Sequence, residues 1–202
     1  HLGESHGSKV QFPINPMHEG MPADGPDRRF VTMPAYLGGS FRMTGVKSYG
    51  SNVSNREQGL PRSILMLALH HTVTGAPLAY MSANLLSAYR TGCTSGVGAR
   101  HYAPKNAKVL GLLGPGVIAK ATVAALIDAR PTVEHIKVLG RSTKGIDSFI
   151  EWVQDKYPTK TVEVVEELEQ VVRDSDMVTF FTCIYVGDPE TYPTVRREWV
   201  KP

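Results

Sequence analysis

Two cysteines in 202 residues, Cys93 and Cys183, are too few for a disulfide framework and stand at no metal-ligand spacing. Both are expected in apolar helix and strand surroundings. No secretory segment is read at the start, so a reducing, cytoplasmic setting is expected. One-sided charge is lacking as well. Its 22 basic and 19 acidic residues leave a net charge of +3 with no basic cluster, which argues against nucleic acid and membrane surfaces as partners. His70, His71, His101 and His135 have no carboxylate or cysteine at ligand spacing, so no metal is expected. Asn52-Val53-Ser54 matches a glycosylation acceptor by letter alone. With 42% hydrophobic and 20% charged residues, the composition is that of a folded protein with a sizeable core, as one large or two small domains.

What the chain does have is a short apolar strand over 109–113 that runs into Gly114-x-Gly116-x-x-Ala119 and then into a helix. Strand, glycine turn and helix start in that order suit a dinucleotide, because backbone N–H groups and the positive helix end can approach a diphosphate closely. Gly114 is expected to make the tight turn, Gly116 to let the diphosphate touch backbone, and Ala119 to keep the helix close to the strand. Pro131 stops the helix over 117–130. A strand is expected over 135–139. Ser142 or Thr143 is placed to cap a helix with Ile146, Phe149, Ile150 and Val153 at i, i+3, i+4 and i+7. A strand over 161–165, a short helix around Leu168, Val171 and Val172, and a strand over 177–183 complete a β-α-β-α-β-α-β order. That order implies a Rossmann-type parallel sheet with ligands beyond the carboxyl ends of its strands. No acid ends the second strand, where a ribose-binding Asp or Glu is usual. Arg141, helped by Ser142, Thr143 or Lys144, suits a 2′-phosphate, so NADP(H) is favoured and NAD(H) stays possible.

Before residue 105 the pattern changes, and the domains are expected at 1–104 and 105–202. Residues 1–27, rich in Gly, Pro, His and polar side chains, read as loop or extended chain. Strand-like segments over 31–37, 45–49, 63–70 and 77–81 predict a mixed sheet, the last two forming a hairpin around Val73-Thr74-Gly75. Residues 84–102 read as a helix. Its Gly92, Gly96 and Gly98 weaken it by about 1 kcal/mol each unless close packing requires them, so it is expected to lie tight against another backbone. Leu85, Leu86, Tyr89 and Val97 read as its core face, and Met66 and Met81 as core gap fillers. Glu163, Glu166, Glu167, Glu169 and Arg173 read as a solvated face.

Met33-Pro-Ala-Tyr-Leu37, Gly45-Val46-Lys47, Gly59-Leu60-Pro61, Thr74-Gly75-Ala76-Pro77-Leu78-Ala79, Ala88-Tyr89-Arg90-Thr91-Gly92 and the turn at Gly114 follow one another along the chain. In order and spacing the whole resembles the ornithine cyclodeaminase / mu-crystallin family. The resemblance implies a Rossmann-type domain preceded by a mixed α/β substrate-binding and dimerisation domain. It implies hydride exchange between NAD(P) and the α-carbon of a small amino or imino acid, in a homodimer. By the same resemblance, Lys47 holds the substrate carboxylate or assists proton transfer, and Arg90 bridges carboxylate and cofactor. Thr91, Val117 and Ile118 contact the diphosphate, and Thr182 lies beside the cofactor.

Three departures stand out. Asn15 occupies the place of a family arginine that binds carboxylate, and Arg62 replaces a threonine after Gly-Leu-Pro. The family's catalytic aspartate lies beyond the segment resembling Glu198-Trp199-Val200-Lys201-Pro202, so this chain alone is expected to be an inactive part of a longer enzyme. A non-catalytic binding protein for NADP(H) or a small ligand, or an accessory subunit, stays open as an alternative.

Overall fold

The computed structural model describes residues 5–8, 10–13, 28–182 and 192–201. The chain forms two compact units, 1–87 and 88–202.

In the first unit the chain forms β3 (Arg28–Leu37), β4 (Met43–Asn52), β5 (Ser63–His71) and β6 (Pro77–Ser82). Two short strands, β1 (Ser5–Gly7) and β2 (Val10–Pro13), share the other edge of β3, opposite Leu37 to Ala35 and Thr32 to Arg29. The sheet order is β1-β3-β4-β5-β6, and every described pairing is antiparallel. One expectation is corrected here. The sheet is antiparallel rather than mixed, since its strands follow one another through short reversals. Residues 5–7 and 10–13, expected as loop or extended chain, are extended and form strands because β3 offers them a free row of backbone donors and acceptors. The β5–β6 hairpin forms as expected. The Gly75 N–H donates to the His71 carbonyl at 2.8 Å, and Gly75 sits at φ 71°. Asn52 Oδ1 accepts from the Ser54 N–H at 3.1 Å and caps a 3-10 turn over Val53–Gln58. The asparagine of the glycosylation letter match therefore has a structural use.

Helix α1 (Asn84–Tyr102) starts on this sheet. Asn84 Oδ1 accepts from the Leu65 N–H at 3.0 Å, and its Nδ2 donates to the Ser63 carbonyl at 2.7 Å. Further along, in the second unit, the buried face of α1 is Ala88, Gly92, Gly96 and Ala99. The expected close approach is present. A Cβ on Gly96 would lie 3.0 Å from the Ala125 carbonyl oxygen, and one on Gly92 would be closer still to Ala121. Gly98, by contrast, has nothing within 4 Å of its Cβ position. The expected core face is corrected. Leu85, Leu86, Tyr89 and Val97 are 65%, 51%, 52% and 59% exposed, because only the small residues let α1 reach α2. Met81 and Cys93 are exposed too, against expectation.

The second unit alternates β7 (Val109–Leu113), α2 (Val117–Ala129), β8 (His135–Leu139), α3 (Thr143–Lys156), β9 (Thr161–Val164), α4 (Leu168–Val172) and β10 (Met177–Phe180). The sheet is parallel in the order β10-β7-β8-β9. Its core joins Leu110, Leu112, Ile136 and Val138 from the strands to Val123 from α2 and to Phe149 and Val153 from α3. Those two α3 residues belong to the expected i, i+3, i+4, i+7 stripe, whose Ile146 packs at the margin. Arg130 ties the end of α2 to the end of α1, its guanidinium donating to the carbonyls of Ala103, Pro104 and Arg100. Strand β10 ends at Phe180, short of the expected 183; Cys183 and Asn15 lie outside the described residues.

Candidate nucleotide-binding site

The carboxyl end of β7 turns sharply at Gly114, whose φ of 90° favours glycine. A Cβ there would also strike the Phe181 carbonyl oxygen. The Gly114 N–H donates to the Leu139 carbonyl at 2.8 Å and the Phe181 N–H to the Leu113 carbonyl at 2.7 Å. The turn is thereby fastened to the ends of both neighbouring strands, β8 and β10. Pro115 packs over Gly140, where an added Cβ would sit 2.8 Å from its Cδ.

Beyond the turn the surface opens. Gly116 has φ −97°, which any residue adopts, and nothing lies within 4 Å of its Cβ position. It begins α2 without a side-chain cap. Helix α3 differs, since Ser142 Oγ accepts from its Gly145 N–H at 3.2 Å. The first amides of α2 thus meet no side-chain acceptor at the cap, and the positive helix end faces a gap that a Cβ would fill. Such a cradle fits a diphosphate. Val117 and Ile118, at 66% and 42% exposure, flank the gap, while Ala119 is fully buried against the sheet.

The strand ends bring several expected residues to this turn. Arg141, Ser142 and Thr143 follow Gly140 and are exposed, and Thr182 follows Phe181 and is half-buried. Thr91 is half-buried on α1, one residue before Gly92, where α1 meets α2, and Arg90 is exposed beside it. Lys47 belongs to the first unit. It stands on β4 between Met33 of β3 and Leu67 of β5, half-buried. Its Nζ donates to Ser87 Oγ at 3.2 Å and lies 5.7 Å from the centre of the Tyr49 ring. Ser87 and Tyr49 escape sequence reasoning, since neither carries a motif and Ser87 is 40 residues from Lys47. Phe181 and Gly140 likewise shape the turn without any signal of their own.

Three of the described histidines have local hydrogen-bond partners. His70 Nδ1 pairs with the Gly75 carbonyl, His71 Nδ1 with Thr74, and His135 with Thr161 and Glu163. Among the described residues no group of three or more His, Cys, Asp or Glu is placed to hold a metal ion, and no helix is long and apolar enough to cross a membrane.

A parallel β-α-β sheet with a glycine turn opening on an uncapped helix start defines a Rossmann-type nucleotide-binding unit. The chain belongs to the ornithine cyclodeaminase/mu-crystallin family, whose model matches residues 3–202. It is 30% identical over 169 residues to an alanine dehydrogenase of Archaeoglobus fulgidus, covering 84% of this chain and 48% of that one. It is 26% identical over 162 residues to an N-((2S)-2-amino-2-carboxyethyl)-L-glutamate dehydrogenase of Staphylococcus aureus, covering 80% and 48%. Among solved structures, the Thermococcus litoralis Δ1-pyrroline-2-carboxylate reductase with NADH and L-proline aligns with a TM-score of 0.76 at 26% identity, covering 88% of this chain and 52% of that one. An archaeal alanine dehydrogenase dimer with bound NAD aligns at 0.76 and 28% identity, covering 98% and 55%. The chain spans about half the length of the relatives it matches.

Proposed function

We propose that the whole protein is an NAD(P)-dependent oxidoreductase acting at the α-carbon of an amino or imino acid. The observation that carries the reading is the open, uncapped start of α2 at Gly116, together with membership of a family whose relatives include dehydrogenases and a reductase for such substrates. The cofactor, when bound, supplies a nicotinamide ring that accepts or donates hydride.

The residues of this chain supply binding and orientation. The amides of Val117 and Ile118 hold the diphosphate across Gly116, with Gly114 fixing the turn and Arg90 and Thr91 of α1 contributing polar groups. Thr182, just past the end of β10, would stand beside a bound nicotinamide. Arg141 and Thr143 take the 2′-phosphate, which favours NADP(H); Ser142 caps α3 through its Oγ and keeps its hydroxyl proton to donate. Lys47 holds the substrate carboxylate or moves a proton at the substrate nitrogen, and the planar fork of Arg90 binds carboxylate. In the proton-transfer role, Lys47 would take or return the proton at the substrate nitrogen as amine and imine interconvert.

A homodimer fits the first unit. Leu78, Tyr80, Leu85 and Leu86 are 54%, 74%, 65% and 51% exposed, and β6 pairs on one side only among the described strands.

Calorimetry of the full-length protein with NADH and NADPH tests the cofactor, and NADPH oxidation against cyclic imines and keto acid plus amine pairs tests the reaction. Uptake of cofactor with turnover of an imine is the expected result. No uptake of either cofactor overturns the reading, and uptake without turnover moves it to a binding protein.

A further inference from the structure

We infer that Ser87 is a positioning residue for Lys47, setting the direction of its ammonium toward substrate. The inference rests on the reading of Lys47 as a substrate-contacting residue. The Lys47 Nζ donates to Ser87 Oγ at 3.2 Å, and the Tyr49 ring lies 5.7 Å away on the same strand, β4. Both ends of this contact are anchored. Lys47 sits mid-strand, paired to β3 and β5 at once, so its Cα is fixed by two ladders. Ser87 lies in the first turn of α1, where its N–H donates to the Ala83 carbonyl at 2.8 Å. That turn is in turn held to β5 by the two Asn84 side-chain bonds.

A lysine side chain has four rotatable bonds, and holding its head in one place costs rotamer entropy. A fixed hydroxyl that accepts one N–H narrows the directions of the other two. The ammonium then meets a carboxylate at a set angle, and part of the ordering cost is met before substrate arrives. Serine suits this role, since its hydroxyl oxygen accepts from an ammonium and its proton can rotate to donate to an amine.

Ser87→Ala, Ser87→Cys, Ser87→Thr, Lys47→Met and the double variant Ser87→Ala/Lys47→Met of the full-length protein test it. The probes are the cyclic imine carboxylate turned over most efficiently in the panel and acylation of Lys47 followed by mass spectrometry. In Ser87→Ala and Ser87→Cys, KM rises about tenfold, as loss of a hydrogen bond to a charged group implies, with kcat changed less and NAD(P)H affinity unchanged. Lys47 becomes several-fold faster to acylate while Lys108 does not, and Ser87→Thr restores both values. In the Lys47→Met background, Ser87→Ala has no further effect on KM. An unchanged KM and unchanged Lys47 labelling in Ser87→Ala overturn the inference, as does an equal effect of Ser87→Ala with and without Lys47. If labelling responds to Ser87→Ala but Lys47→Met leaves KM and kcat at wild-type values, it is the reading of Lys47 that fails.

Discussion

A Cβ placed on Gly92 would lie 2.6 Å from the carbonyl carbon of Ala121, so α1 and α2 meet there backbone to backbone. No rotamer change relieves a clash with backbone, and Gly92→Ala must push the helices apart. Overpacking of this kind costs about 1–3 kcal/mol, against a gain of about 1 kcal/mol in helix propensity. Net destabilisation is expected, read as a lower midpoint in urea. Gly98→Ala, on the same helix with nothing within 4 Å, should instead stabilise by about 0.5–1 kcal/mol. Equal behaviour of the two variants would remove the argument for close helix contact.

Gly116 allows the proposed cofactor binding to be tested apart from folding. Its backbone angles suit any residue and its Cβ position is open, so Gly116→Ala should cost no more than about 1 kcal/mol, the loss of a glycine N-cap. The methyl group would stand where a diphosphate must approach the α2 amides. NAD(P)H affinity should fall at least about tenfold, measured by fluorescence titration. Unchanged affinity would place the diphosphate elsewhere.

Much of the second unit is legible in its letters, because each signal there is local. The glycine turn, the α3 stripe ending in Phe149 and Val153, and the Ser142 cap all depend on residues a few positions apart. The misreadings come from non-local physics. Ranking α1 by hydrophobicity picks out Leu85, Leu86, Tyr89 and Val97, but the helix face that packs is chosen by how near α2 can come, and that favours Ala88, Gly92, Gly96 and Ala99. Strands β1 and β2 form because the edge of β3 completes their backbone hydrogen bonds, which no alternation in residues 5–13 announces. The Lys47–Ser87 contact needs both β4 and the start of α1 in place, so it has no signature along the chain.

Asp176 makes acid stability measurable at one site. Burial alone would raise its pKa, but the Lys201 ammonium and the amides of Val109 and Lys108 outweigh it and hold the carboxyl below its ordinary 3.8. Its Oδ2 accepts from those amides at 2.9 and 2.7 Å, joining the start of β10 to the start of β7. A depressed carboxyl pKa contributes stability that is complete above the unfolded value and is lost as pH falls through the folded one. Asp176→Asn should therefore cost about 1–2 kcal/mol at pH 7 and flatten the loss of stability below about pH 4. Parallel acid limbs for the two proteins in urea titrations would contradict this.

The apolar surface of β6 makes oligomeric state a direct measurement. Tyr80 is 74% exposed and Leu78 54%, so charge there costs an isolated unit little. Tyr80→Glu should leave the unfolding midpoint near wild type while weakening the proposed homodimer of the full-length protein in sedimentation equilibrium. A dimer that survives Tyr80→Glu with unaltered affinity uses another face.

The proposed preference for NADP(H) makes Arg141 the residue to vary. It leads from β8 into α3 with its side chain exposed, and no acid stands in this segment to accept ribose hydroxyls from NAD(H). A guanidinium beside a 2′-phosphate gains charge-assisted, bidentate hydrogen bonds, each about twice as strong as a neutral one. Arg141→Ala should weaken NADPH binding about 10- to 100-fold and leave NADH within about threefold, because only NADPH carries the group the arginine meets. Arg141→Asp should go further and reverse the preference, by repelling the phosphate and offering an acceptor for the 2′-hydroxyl. Salt gives an independent check. Raising ionic strength screens an exposed Arg–phosphate pair, so NADPH affinity should fall with salt in the wild type and lose that dependence in Arg141→Ala. Equal losses for both cofactors in Arg141→Ala would mean that the residue supports the loop rather than reading the phosphate.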